Sequence, residues 1–205
     1  MIKVPRILSA ILVAALLLMI AHSALALPQE EPGPSPPSEE EGILKSIENT
    51  ALAAWIRESP SVFAFAGILL LHTIGMGLVV GICAGLDLRI LGVAREIPLA
   101  PMRRFFPVLW VGFFLNAATG LLLLYADLST KLINPDFWAK IVFIALAVVT
   151  LLRLKKLVFN DPDIDHKPLP ANAKLLAFIS LILWIGAVTA GRLMAYIGPV
   201  SGLGF

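Results

Sequence analysis

The chain has 205 residues, of which 59% are hydrophobic and 15% charged, and its mean hydropathy is +0.90. A soluble domain carries about 25% charged residues, so the apolar excess points to lipid rather than to an oversized core. The net charge of +2 is too small to suggest a polyanionic partner such as nucleic acid, and the single cysteine, Cys83, excludes an intrachain disulfide.

Residues 1–26 read as a secretory signal. Lys3 and Arg6 supply a basic start, Ile7 to Ile20 an apolar stretch, and Ala24-Leu25-Ala26 a small-x-small cleavage site. The alternative is an uncleaved anchor, since Ile7 to Leu27 is just long enough to span. Residues 27–42, with the run "PQEEPGPSPPSEEE", form a proline-rich acidic linker with nothing to bury, and are expected to be disordered in the external space. Over 43–59 the spacing of Leu44, Ile47, Ala51 and Trp55 predicts one amphipathic helix lying in the membrane interface. Ser59-Pro60 is expected to end it and to cap the next helix.

Four apolar spans follow, at about 61–86, 105–126, 137–158 and 174–197. Each reaches the ~20 residues needed to cross the hydrocarbon. Together they make 60–198 an all-α membrane domain, a four-transmembrane-helix bundle, followed by a short external tail at 199–205. Asn134-Pro135-Asp136 is a start signal for the third span: a cap, a fixed φ and an acid at the positive end of the dipole. Pro107 is placed to kink the second span near its start. Arg89, Arg95, Arg103 and Arg104 follow the first span, and Arg153, Lys155, Lys156, Lys167 and Lys174 follow the third, whereas the loop between them has Lys131 alone. The positive-inside rule then places both basic loops in the cytoplasm and both mature termini outside, as expected of a multi-pass protein of the bacterial inner membrane.

Few polar side chains interrupt the spans. They are His72 in the first, Asn116 and Thr119 in the second, Lys140 in the third, and Thr189 and Arg192 in the fourth. At ~1.5 Å per residue His72 is roughly 16 Å below the outer boundary, with Arg192 at about 7 Å and Lys140 at about 5 Å. Two readings are open. In one, Lys140 and Arg192 snorkel to the headgroups and His72 bonds to a neighbouring helix, for instance to Asn116. In the other, a haem b answers all three, with His72 on the iron and the two cations on the propionates. Met76, one turn from His72, offers a further alternative: a His-Met pair suits reduced copper. Cys83 is roughly 16 Å from His72 along the axis and is too far to join. Phe65 is placed to pack on a flat ring, on a neighbouring helix or on lipid. Gly77, Gly81 and Gly85 form a small-xxx-small stripe opposite His72, suited to close approach of another helix, including one from a second copy of the chain. Asp87 and Arg89 in "DLR" are spaced for a terminal ion pair. "NDPDIDH" lacks the central glycine and final glutamate of a calcium loop and reads as a solvated connector. No nucleophile triad, phosphate loop or paired carboxylate supports hydrolase or nucleotide chemistry.

The blocks "LHTIGMGLVVGICAGLDLRILG", "NPDFWAKIVFIALA" and "SLILWIGAVTAGRLMAYIG" resemble those of an uncharacterised bacterial four-helix membrane family. That family is loosely similar to the copper-resistance protein D family and to HemJ-type protoporphyrinogen oxidases. The resemblance covers roughly 60–198 and implies the four-helix fold. From the HemJ-type proteins it further implies a haem-related role for His72 and for Lys140 of "FWAK", with Arg89 resembling an arginine at the end of their first span. The expected functions are therefore a haem-binding redox or anchoring subunit serving a membrane or periplasmic redox protein, a porphyrinogen oxidoreductase, a copper-handling protein, or a purely structural subunit.

Overall fold

The computed structural model describes residues 39–196. The signal, most of the linker and the tail at 199–205 lie outside the described residues. Among the described residues the structure is all-helical, without strands. Helices α1 (Glu39–Glu48) and α2 (Ala51–Glu58) come first, then the long α3 (Phe65–Leu91). A 3-10 turn (Ala100–Arg104) leads into α4 (Phe105–Tyr125), and short α5 (Leu128–Ile133) precedes α6 (Pro135–Leu154). A π turn (Lys155–Phe159) and a loop then lead to α7 (Ala171–Tyr196).

Three helical stretches are long and apolar enough to cross a membrane: Phe65–Leu91, Ala100–Tyr125 and Ala171–Met194. At ~1.5 Å per residue the 27 residues of α3 measure about 40 Å, more than the ~30 Å of hydrocarbon. Leu69, Leu70, Leu71 and Ile74 of α3, Val111 and Phe114 of α4 and Ile185 of α7 remain exposed, as lipid-facing side chains do. Helix α6 has 20 residues and packs along α7.

Two helical hairpins, α3–α4 and α6–α7, are joined through α3 against α7, while α4 and α6 make no comparable contact. One apolar core occupies the end near the basic loops. It is built from Val79, Cys83, Leu86 and Ile90 of α3, Phe106 and Leu109 of α4, Leu151 and Leu154 of α6, and Ala177 and Trp184 of α7. A smaller cluster of Ile56, Ile68 and Ala126 closes the opposite end.

Local chemistry explains several boundaries. Asn134 caps α6 as its sequence predicts, its Oδ1 accepting the Asp136 N–H at 2.8 Å, with Pro135 in the first turn. Helix α3 ends where Gly92 adopts φ 104° and the Val93 N–H reaches back to the Leu88 carbonyl, the arrangement that glycine makes easy.

Other expectations need correction. Ser59 does not cap the first span: its Oγ accepts the Ser61 N–H, Ser61 repeats the contact with Phe63, and α3 starts only at Phe65. The helix expected at 43–59 starts at Glu39 and is broken at Asn49-Thr50, because the Thr50 hydroxyl caps α2 and bonds the Tyr125 hydroxyl at 2.9 Å. Its Ile56 is fully buried against the bundle, while Leu52 and Trp55 face outward. Pro107 lies in the first turn of α4, where a missing N–H costs nothing and no kink is forced. Arg89 does not pair with Asp87: its guanidinium donates to the carbonyls of Ile97 and Arg95 and ties down the following loop.

The glycine stripe is also relocated. A Cβ at Gly77, Gly81 or Gly85 would meet nothing within 4 Å. The close approach within the chain is made instead by Gly75 and Gly112, where α3 crosses α4. A Cβ on Gly75 would lie 2.8 Å from both the Asn116 nitrogen and the Gly112 oxygen.

Candidate functional site

The Gly75–Gly112 crossing brings the α3 and α4 backbones close enough for side chains one turn away to bond across the gap. His72 does so. Its Nδ1 is 2.9 Å from the Asn116 carbonyl oxygen and 3.2 Å from Thr119 Oγ1. A carbonyl only accepts, so Nδ1 carries the proton and donates, a tautomer assigned from its partners. The Asn116 amide nitrogen returns a bond to the His72 carbonyl at 2.8 Å. The Thr119 hydroxyl donates to the Leu115 carbonyl at 2.7 Å and is thereby oriented to accept from the imidazole. Gly120 completes the cradle: a Cβ there would stand 3.0 Å from His72 Cε1. The first of the two sequence readings, a helix-to-helix bond from His72 to Asn116, describes this geometry.

Beside this network lies a cavity of about 20 Å³ that all four long helices line. Met76 comes from α3, Asn116 and Phe113 from α4, Lys140 and Ile144 from α6, and Trp184 from α7. Lys140 turns inward rather than to the headgroups. Its Cδ and Cε lie 3.6 Å from where a Gly191 Cβ would be, so the absence of a side chain on Gly191 admits the lysine stem. No carboxylate or other acceptor among the described residues bonds the Lys140 ammonium, the ion pairs there being confined to Arg57, Lys131 and Lys167.

The sequence-predicted residues are therefore only partly brought together. Asn116, Met76 and Lys140 share the cavity, and His72 holds Asn116 from behind without lining it. Arg192 is exposed on α7 and bonds to nothing among the described residues. Phe65 is exposed too. A cavity of this size has room for one water molecule, which needs about 10–15 Å³, and not for a porphyrin macrocycle. With no room for the macrocycle and Arg192 turned outward, the side chains as arranged do not fit a haem. Copper would have two donors, His72 and Met76, of which Met76 alone faces the cavity. No group of three or more His, Cys, Asp or Glu side chains placed to hold a metal occurs among the described residues.

A second polar set, at α3 against α7, escaped the sequence reading. Cys83 and Asp87 are one turn apart on α3, Ser180 and Trp184 one turn apart on α7, and the antiparallel helices set Asp87 against Ser180 and Cys83 against Trp184. Asp87 is 2% exposed and Ser180 fully buried. Asp87 Oδ2, Ser180 Oγ and Trp184 Nε1 make no hydrogen bond of normal geometry. The only advance sign was an acid inside an apolar run, and a nearby arginine offered it an apparent partner.

At the end remote from the basic loops, polar contacts dock α1 and α2. The Glu48 carboxylate accepts from the Ser129 N–H and hydroxyl at 2.6 and 2.8 Å, and Arg57 donates to the Ala126 carbonyl at 2.7 Å. Burial pushes the Glu48 carboxyl up, but the two Ser129 bonds and the Arg57 charge outweigh it and hold it below the usual range.

Fold and site together define a helical membrane protein with a small, mostly apolar cavity among its long helices, into which Asn116 and Lys140 bring polar groups. No protein family, curated protein or solved structure matches the chain.

Proposed function

We propose that the protein is a four-span protein of the bacterial inner membrane, with α6 as the remaining span and the basic loops in the cytoplasm. Its outer-half cavity takes a ligand through an anionic oxygen. One observation carries this reading: a lysine ammonium directed into the bundle with no acceptor bonded to it among the described residues. An unneutralised cation is costly inside a membrane and marks a ligand or ion site. Lys140 is the anion-binding group, and Asn116, fixed by His72, presents an oriented amide beside it. The weak contact between α4 and α6 leaves a seam through which a lipid-soluble acid reaches the cavity from the bilayer. A haem propionate has the same chemistry, and a redox or anchoring subunit of the kind the motif resemblance implies would need α4 and α6 to part.

The test uses the full chain in mild detergent. Oleate is titrated and followed by tryptophan fluorescence, and haem b by its Soret absorption. Saturable binding of oleate, weakened at least about tenfold by Lys140→Met, is expected, since charge-assisted bonds contribute about 1.5–3 kcal/mol. A Soret band lost in His72→Ala but indifferent to Lys140→Met would replace this reading with an imidazole-ligated iron. Binding of neither probe overturns the reading.

A further inference from the structure

A larger pocket lies at the opposite end of the bundle, where the 3-10 turn enters α4 and α6 gives way to the π turn. Its volume is about 370 Å³, within the range of ligand sites. Arg103, Phe106, Pro107 and Trp110 line one side, and Lys155, Phe159 and Asn160 the other. The π turn matters here. Lys155 and Phe159, four residues apart on it, bring a cation and an aromatic ring from one short segment to the pocket wall, and π windings recur at functional positions. The wall is held by Phe106 packed edge-on to Phe159, with ring centroids 5.2 Å apart. The Lys155 ammonium sits 5.3 Å above the Phe106 ring. One terminal nitrogen of Arg103 donates to the Asp161 carbonyl, which fixes the guanidinium and leaves its buried Nε–H without a partner.

The pocket thus presents two cations, one of them immobilised, above an apolar wall of aromatic rings. It opens at the level where a membrane-crossing helix meets the headgroups, since Ala100–Tyr125 is one of the three apolar stretches. A soluble anion would gain from the cations alone. A ligand with a phosphate at one end and hydrocarbon at the other would also use Trp110, Phe106 and Pro107. We propose that this pocket is a binding site for the phosphate headgroup of an anionic phospholipid. The Arg103 guanidinium, through its remaining terminal N–H groups, and Lys155 contact the phosphate, and an acyl chain descends along Trp110. The Asp161 contact acts as a positioning element, and Lys156 and Arg104 lie outside the lining.

The full chain is purified in detergent and exposed to an equimolar mixture of phosphatidylglycerol and phosphatidylcholine. The first lipid retained is counted by native mass spectrometry. Wild type is expected to prefer phosphatidylglycerol. Arg103→Gln and Lys155→Gln should each reduce that preference roughly fivefold, as suits one basic contact at a membrane surface, while Lys155→Arg and Lys156→Gln keep it. Equal retention of both lipids by wild type overturns the proposal, as does a loss in Lys156→Gln matching that in Lys155→Gln, which would signify surface charge alone. Displacement of the lipid by millimolar inorganic phosphate, with no dependence on acyl chains, would assign the pocket to a soluble phosphate instead.

Discussion

Replacing Gly75 by alanine adds one methyl group at the point where α3 crosses α4. That carbon would stand 2.8 Å from the Asn116 nitrogen and the Gly112 oxygen and 3.0 Å from the Asn116 Cβ. Unstrained contacts between carbon atoms fall at about 3.5–4.0 Å, and two of the three neighbours are backbone atoms that cannot rotate away, so the helices must separate by about 1 Å. Overpacking of this kind costs about 1–3 kcal/mol. The separation also stretches the two His72–Asn116 bonds, each worth about 0.6 kcal/mol between membrane helices. Alanine recovers part of this, about 0.5–1 kcal/mol, through its helix propensity. The net expectation is a destabilisation of about 1–3 kcal/mol. Gly81→Ala is the control: nothing lies within 4 Å of its Cβ, so the propensity gain acts alone and the variant should be neutral or slightly more stable. Reversible unfolding in mixed detergent micelles, followed by far-ultraviolet circular dichroism, measures both. Equal losses in the two variants, or a loss confined to Gly81→Ala, would refute the placement of the helix crossing.

Three further predictions concern single contacts. Glu48 is held below its ordinary range in the folded chain, so its docking contribution is complete above the unfolded value near 4.3 and is lost as pH falls through the lower folded one. The protection of the Ser129 amide, its exchange rate taken relative to an unfolded chain at the same pH, should fall in acid for wild type, and Glu48→Gln should flatten that profile. The Asp165 carboxylate accepts the Leu99 and Ala100 N–H groups at 2.6 and 3.0 Å, capping the 3-10 turn. Asp165→Ala should cost about 1 kcal/mol locally, read as faster trypsin cleavage at Arg103 and Arg104; an unchanged rate would show that the cap is idle. Asp87→Asn replaces a buried carboxyl group that has no cationic partner among the described residues, so the thermal midpoint should hold or rise. A fall of several degrees would show that the carboxylate is paired.

Where backbone chemistry is local, the residues announced the structure. Asn134-Pro135-Asp136 specifies a helix start from three adjacent side chains, and the long apolar runs specify membrane-length helices because hydropathy sums along the chain. Which glycine meets a neighbour is not local. Gly75, Gly77, Gly81 and Gly85 all occur on α3, and only the position of α4 singles out Gly75. The three aspartates of "DPDID" are equivalent as text, yet Asp165 alone lies under the 3-10 turn, while Asp161 and Asp163 share Lys167. For the candidate site, the residue types at His72, Asn116 and Lys140 were legible as polar groups in apolar surroundings. Their directions were not, because helical periodicity gives a relative angle and says nothing of which neighbour occupies it. Arg192 illustrates the gap: a position a turn or more inside the helix suggested an inward cation, and the side chain is exposed.

The pairing of helices has a consequence for biogenesis. Each hairpin unites segments that follow one another in the chain, whereas α3 against α7 joins segments about a hundred residues apart. Short-range hairpins can assemble while synthesis continues, but the α3–α7 contact must wait for the final helix to leave the ribosome. Asp87, Ser180 and Trp184 come together only at that step. A chain stalled or truncated before residue 171 would expose the buried acid of α3 to lipid, a defect that membrane quality-control proteases could recognise.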